Sequence, residues 1–395
     1  MVSVSSARRA WIEEGDRMKA QRVDVFVCPS ATPADTSGLQ ALADAGKIKP
    51  DTLVALVGKT EGTGAHDDWG RVWADVALRE WTGKFLGVPA DEVAKHVIFV
   101  LSGGCPGVIT PHIAAVTREW VEVPDLGGEK RLVVGRAGSD PMPPEEVGRM
   151  GQIRKVASAT HAAMADAGLT DPKDVHLVMV KVPGLTTASI KDAESRGKTV
   201  VSHDLTFGPE GAGVYANDAA ALGVAMALGE VPEALLSDAV VRRNWDLYSE
   251  VAMTSSGGEK RHGEVVVFGN SNASRSALRI GHAVTRDFID ADGVRNALRS
   301  AGLRFTDGLP DEKDLSSRLV HVFAKSVIPG SDQIRGQRIT LLDDTDAYQI
   351  GKALGGMLVA SVTGRTTNYV SGGERNSHQG PPGGNIVAAV VRTEA

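Results

Sequence analysis

Cysteine is nearly absent. Cys28 and Cys105 are the only two in 395 residues, too few for a disulfide framework or a cysteine-based zinc site, so a reducing, cytoplasmic setting is expected. No apolar run reaches the roughly 18 residues of a membrane span. Residues 1–22 carry charge through most of their length and lack the apolar centre of a secretory signal peptide. Positive charge is not in excess either: 43 basic against 49 acidic side chains give a net charge of −6, which argues against nucleic-acid binding. No P-loop and no Gly-x-Gly-x-x-Gly turn stands between a strand and a helix, so a nucleotide-dependent enzyme is not indicated. Neither nucleic acid nor membrane is expected as a partner. With 42% hydrophobic residues, a chain of this length has material for two or three core-forming units.

What the chain does have is a chemical pairing that occurs three times in the same order. A lysine closes each of three β-like runs: Lys59 after Val54 to Val57, Lys181 after Leu177 to Val180, and Lys325 after Leu319 to Ala324. A serine-glycine segment, expected to be a turn, follows each one downstream: Ser102-Gly103-Gly104, Ser255-Ser256-Gly257 and Ser371-Gly372-Gly373. A single lysine at a strand end is usually a surface residue reaching for water, and a single Ser-Gly-Gly is usually just a turn. Three of each in register are harder to assign to chance.

The helix endings repeat as well, at Asp44-Ala45-Gly46, Asp166-Ala167-Gly168 and Ser300-Ala301-Gly302. Together the two signals predict internal triplication: an N-terminal extension over 1–22, then units over 23–124, 131–269 and 277–395. The linkers fall at Pro124 to Lys130 and Asn270 to Ser276. Within the units the pattern predicts strands over Val23–Val27, Val265–Phe268 and Ile386–Val391. It predicts helices over Asp67–Trp81, from Pro144 to Gly168, over Ala188–Arg196, over Asp218–Leu228, from Asp292 to Ser300 and over Asp346–Val362. The fold class is α+β, each unit a sheet covered on one face by helices. Three such sheets packed face to face around a common axis would gather the lysines and serines at the centre.

Burying an ammonium costs several kcal/mol unless it is paired or gives up its proton, and a serine beside a neutral lysine is a nucleophile beside its base. The residues alone leave the choice among the three pairs open. Lys181, flanked by Val180, Val182 and Pro183, has the driest local sequence and is suited to take the proton of Ser255. Ser256 competes as nucleophile, but spacing to Gly257 favours Ser255. The glycine-rich segments would offer backbone N–H groups to a carbonyl oxygen as it gains charge. Arg71, Asn217 and Lys352, on or just before the helix between each lysine and its serine, can donate to carbonyl or imide oxygens. The plainer readings are a helix cap for Asn217 and a solvated helix position for Lys352. His66, Asp67 and Asp68 read as a solvated helix start, and Cys105 as a small buried thiol.

The segments Val57-Gly58-Lys59-Thr60-Glu61-Gly62, Leu101-Ser102-Gly103-Gly104, Ala221-Leu222-Gly223-Val224-Ala225, Ser255-Ser256-Gly257 and His378-Gln379-Gly380-Pro381 resemble the ring-opening cyclic amide hydrolases, the family of cyanuric acid hydrolase and barbiturase. The resemblance runs over nearly all of the chain after the extension. It implies a threefold "Toblerone" fold with helices outside, a homotetramer, and a small cyclic amide held among the three repeats. It further implies Ser255 as nucleophile and Lys181 as its base, with no cofactor or metal in catalysis. Arg71, Lys59, Lys325, Ser102, Gly103, Ser256, Ser371 and Gly372 would contact the substrate, with Asn217 and Lys352 at positions where relatives carry arginine. Relatives also place a metal-binding glutamate two residues after the third lysine. Here that residue is Val327, and the C-terminal loop near Gln379 is the remaining place for a structural magnesium or calcium. These departures predict a ring other than cyanuric or barbituric acid. A cyanuric acid hydrolase or barbiturase proper is the alternative within the family, and a non-catalytic small-molecule binder with the same pocket is the alternative from another class.

Overall fold

The computed structural model describes residues 18–64, 68–206 and 208–394. Their main feature is three four-stranded sheets. The first contains β1 (Met18–Pro29), β2 (Leu53–Thr60), β3 (Ile98–Gly103) and β4 (His112–Val123), in the order β1-β4-β2-β3. The second contains β5 (Arg131–Pro141), β6 (Val175–Pro183), β7 (Ala252–Gly257) and β8 (His262–Ser271), in the order β5-β8-β6-β7. The third contains β9 (Leu278–Thr285), β10 (Leu319–Val327), β11 (Tyr369–Gly373) and β12 (Asn385–Arg392), in the order β9-β12-β10-β11. In every sheet the first and second strands run antiparallel to the fourth, while the second and third run parallel. Register also shifts near the start of the second strand in all three, between Leu53 and Ala55, Val175 and Leu177, and Leu319 and His321.

Parallel neighbours need a crossover, and helices provide it. The helices are α1 (Ser37–Asp44), α2 (Trp69–Leu86), α3 (Met150–Ala167), α4 (Thr187–Ser195), α5 (Ala212–Leu228), α6 (Ala291–Ser300), α7 (Glu312–Arg318) and α8 (Ala347–Thr363). The predicted helix ends hold: Gly46, Gly168 and Gly302 have φ of 64°, 70° and 95°, the left-handed conformation that glycine enters without a Cβ penalty.

The strands read as near-continuous apolar runs because both faces are buried. On β6, Val178, Val180 and Val182 pack toward α3, α4 and α5, whereas Leu177 and Met179 join a core shared with the other sheets. That shared core also holds Val57, Val100, Met253, Phe323 and Tyr369. Smaller cores close the helix-facing sides of the first and third sheets.

The structure departs from the sequence reading in several places. The opening strand starts at Met18, inside the stretch read as an extension, and the earlier part of that stretch lies outside the described residues. Strands β4, β5 and β9 were not predicted. Asn270, read as linker, ends a strand, and its side-chain amide bonds to both Ile280 O (2.7 Å) and Ile280 N (3.1 Å) as a backbone unit would. Helix α5 begins at Ala212 rather than Asp218. Gly211 and Gly213 weaken the local helix preference, but almost every residue of α5 is buried, and packing supports it where a cap does not.

Candidate active site

Each second strand ends in one of the lysines and each third strand in one of the serines, directly opposite one another. Lys59 faces Ser102, Lys181 faces Ser255, and Lys325 faces Ser371 across parallel pairings. The serine-glycine segments are therefore strand ends, not turns, because their apolar runs stay paired to the lysine strands through the first glycine. Side chains alternate along a strand. Lys59 thus continues the face of Val57, Lys181 that of Met179 and Lys325 that of Phe323, all members of the shared core. Ser102, Ser255 and Ser371 likewise continue the faces of Val100, Met253 and Tyr369.

The lysines are buried, Lys59 at 0%, Lys181 at 1% and Lys325 at 2% exposure. Burial pushes Lys59 down to about 8, an effect Cys105 and Asp68 oppose. It pushes Lys181 down to about 8, with Glu259 opposing and Arg71 adding to the fall. Lys325 falls to about 7, again through burial first, with Lys59 and Lys181 contributing as like charges. Lys325 therefore lies within electrostatic reach of the other two.

Their hydrogen bonds differ. Lys59 Nζ donates to Ser102 Oγ (3.2 Å) and Gly103 O (3.1 Å), and Lys325 Nζ to Ser371 Oγ (3.3 Å) and Thr254 O (3.0 Å). Lys181 Nζ instead donates to Ser256 O at 2.9 Å. Ser255 Oγ is buried and makes no hydrogen bond, whereas Ser256 Oγ donates to Gly213 O at 3.1 Å. Tyr369 bears on part of the difference: Ser102 and Ser371 both act on its buried hydroxyl. No motif in the sequence singles it out. Alternation two residues before Ser371 was the signal that could have placed it on the inner face.

The helix-borne residues reach between sheets. Arg71 Nη1 donates to Ser256 O at 3.4 Å, and the residue is set by its helix start, where Asp68 accepts from Arg71 N (3.2 Å) and Gly64 N (2.7 Å). Asp68 is a buried cap, not the solvated residue expected; His66 and Asp67 lie outside the described residues. Lys352 is fully buried, which overturns its solvated reading, and its Nζ donates to Gly103 O (3.2 Å) and Thr63 O (3.4 Å). Burial pushes it down to about 6, and Lys59 adds to the effect. Gly372 is bare because a Cβ would lie 2.8 Å from the Lys352 chain, and a Cβ on Gly103 would overlap the Asp68 carboxylate. Asn217 is inside α5 rather than capping it. Its backbone oxygen accepts from Thr254 Oγ1 at 2.6 Å, and its side-chain Oδ1 is buried without a partner. Cys105 is half-buried, its thiol pushed up to about 11 by burial. A cavity of about 190 Å³ opens beside these groups, lined by Arg71, Gly184, Gly213, Ser256, Gly257 and Glu259.

Comparison with known proteins shows the family. The family described as "Amidohydrolase ring-opening protein" matches residues 24–392. The chain belongs to the ring-opening amidohydrolase family. Among its relatives, a cyclic amide hydrolase of Pseudofrankia inefficax is 51% identical over 94% of this chain and 95% of that one. A cyanuric acid amidohydrolase of Bradyrhizobium diazoefficiens is 42% identical, covering 95% and 99%, and Barbiturase 1 of a Nocardioides species is 42% identical, covering 93% and 98%. A solved structure of cyanuric acid hydrolase superposes with a TM-score of 0.88 at 39% identity, over 95% of this chain and all of that one.

The structural metal that the family resemblance implies finds few free ligands among the described residues. Val327 is buried and apolar and offers no ligand. In the C-terminal loop, Arg242 donates to Arg375 O (3.1 Å) and Asn376 O (2.8 Å) while pairing with Asp218 at 2.8 Å. Gln379 Oε1 accepts from Thr254 N at 2.7 Å. Among the described residues no three His, Cys, Asp or Glu side chains converge. These three loop oxygens are taken by a guanidinium and an amide and are not open to a divalent cation, which takes six or more oxygens. No helix among the described residues is long and apolar enough to cross a membrane.

Proposed function

We propose that this ring-opening amidohydrolase hydrolyses a small cyclic amide or imide through Ser255 and Lys181, with no cofactor in the reaction. The observation that carries the assignment is the free hydroxyl of Ser255, the one strand-end serine not held by its lysine. Ser255 Oγ attacks a ring carbonyl as its proton passes to neutral Lys181. The ammonium returns that proton to the ring nitrogen as the C–N bond breaks, and water, activated by the same lysine, releases the acyl group from Ser255. Backbone N–H groups of the serine-glycine segments support the oxyanion, a contribution of about 3–4 kcal/mol in comparable sites. Lys59, Lys325, Ser102, Ser371 and Arg71 hold the other carbonyls.

The proposed substrate is a ring other than cyanuric or barbituric acid, because Asn217 and Lys352 offer an amide and an amine of lowered basicity where an arginine would offer a planar fork. Purified wild-type, Ser255→Ala and Lys181→Ala proteins assayed on cyanuric acid, barbituric acid and further cyclic imides test both statements. The variants should stay folded and lose turnover by 100-fold or more, on the order of a lost general base. Full activity in either variant defeats the assignment, and efficient opening of cyanuric or barbituric acid defeats the substrate proposal. Binding without turnover across the whole panel would favour a non-catalytic binder.

We further propose three homologous units around a pseudo-threefold axis, supported by the shared strand order and the matching register shifts. Arg242 rather than a divalent cation would hold the C-terminal loop, in a cytoplasmic protein whose two cysteines are unpaired. A homotetramer is the proposed assembly. Exposed Trp69, Trp73 and Val76 on α2 and Leu354 and Met357 on α8 supply apolar faces of the kind that association covers. A monomeric mass by light scattering would oppose it.

A further inference from the structure

The three lysine–serine pairs are alike in register and burial, yet opening one amide bond needs one base. Among the described residues, Lys181 alone of the three strand-end lysines has a carboxylate within ion-pair reach, with Glu259 Oε1 lying 3.6 Å from its Nζ. Glu259 also lines the cavity beside Arg71 and Ser256. The local sequence makes room for this. A Cβ on Gly257 would overlap the Glu259 carboxylate, so glycine at 257 is what allows the chain to fold that carboxylate back over the strand end. The other charges acting on Lys181 are Arg71 and Asp75 from α2 and Lys260 from the same loop. Burial raises the Glu259 carboxyl, but Lys181 and Arg71 outweigh that and bring it down to about 2, leaving it an anion at any working pH.

We propose that Glu259 is a positioning residue that singles out Lys181 as the base and stabilises its ammonium once the Ser255 proton has arrived. The inference rests on the Ser255–Lys181 reading. Glu259 exchanges no proton: the Ser255 proton moves to Lys181 Nζ as the Oγ–C bond forms, and from there to the ring nitrogen as the C–N bond breaks. Its negative charge lowers the energy of the state in between, in which Lys181 is charged and buried. Asp68 and Asp218 act on Lys59 and Lys325 only from beyond ion-pair distance, and those two lysines remain hydrogen-bond donors.

The test compares Glu259→Gln, Lys181→Ala and wild type on the first ring in the panel that the wild type opens, from pH 6 to 9.5. Glu259 is 35% exposed at the side chain, so the isosteric E259Q is expected to keep the wild-type melting midpoint. Its kcat above pH 9 should fall about tenfold, at the low end for acid–base support, with KM within about twofold of wild type. The acid limb of kcat/KM should move to lower pH, because the charge that favours the Lys181 ammonium is gone. A purely structural role would not move that limb. Unchanged kcat and an unshifted limb in E259Q, beside an inactive K181A, would overturn the inference and leave the reading of Ser255 and Lys181 standing. Full turnover by K181A would overturn that reading itself, and the inference with it.

Discussion

If Lys181 must be neutral to act, activity should follow its titration. Burial brings this amine down to about 8, so only about 1% of it is neutral at pH 6, about 10% at pH 7 and about 90% at pH 9. Between pH 9 and pH 6 the acid limb of kcat/KM should therefore fall by about a hundredfold, with a slope near tenfold per unit. Lys325 and Lys352 sit lower, at about 7 and about 6, and have mostly lost their protons before Lys181 titrates. Lys59 lies close to Lys181 at about 8, so two variants separate them. Lys59→Met should leave the limb in place. Arg71→Gln should move it to higher pH, since the Arg71 cation pushes Lys181 down. Initial rates from the loss of ring ultraviolet absorbance, in buffers of constant ionic strength, measure the profile. A flat profile from pH 6 to 9, or a limb that R71Q leaves unmoved, refutes a neutral Lys181 as the base.

Two further outcomes concern the frame around the site. Arg242 and Asp218 are buried at 2% and 0% side-chain exposure; Arg242→Ala leaves Asp218 its bonds from Ser377 and His378 N but no counter-ion, and should cost about 3–5 kcal/mol in chemical denaturation. The wild-type melting midpoint should not respond to EDTA, and an EDTA-induced fall would show that a cation holds the C-terminal loop. His112 and His321 meet across the first and third sheets with Nε2 atoms 3.3 Å apart. Burial holds His112 at about 4 and His321 well below its ordinary value. Because the folded values are depressed, the stability they permit is complete above about pH 6.5 and is lost as pH falls toward 4. For His112 alone that loss is about 3 kcal/mol. Denaturation curves at pH 7, 5.5 and 4.5 check it, and a His321→Leu variant with the wild-type pH slope would refute the assignment.

What the sequence reveals here is whatever recurs along the chain. Three lysines after apolar runs, three serines before glycines and three glycine-ended helices are legible because each is local and each occurs again. The direct opposition of Lys181 and Ser255 is the consequence of a parallel pairing, and no local pattern announces it. Strands β4, β5 and β9 escaped because their ends mix in Thr, Arg, Glu and Gly where the sheet emerges from the core, which blurs the alternation. The start of α5 escaped because burial rather than capping decides it. Tyr369 and Glu259 escaped for a different reason: neither has a counterpart at the matching position of the other units, so a search for repetition passes over both.

Side chains without counterparts also leave one of three similar serines without a hydrogen bond. Equivalent strands guarantee only that each amine stands opposite a hydroxyl, and left alike the pairs would saturate one another. The side chains that break the likeness lie beside the recurring positions. The Tyr369 hydroxyl is engaged with Ser102 and Ser371, and Lys352 lies on Gly103 O, so the first and third sheets are spoken for. On the second sheet Met253 stands where the third has Tyr369. A thioether cannot donate a hydrogen bond and only weakly accepts one, so nothing there satisfies Ser255, while Lys181 is drawn to Ser256 O and Glu259. An unsatisfied buried hydroxyl costs about 1–3 kcal/mol. Under the proposed assignment, a substrate group that bonds to Ser255 would remove that cost, so the unsatisfied hydroxyl of the free protein would favour binding at the second sheet.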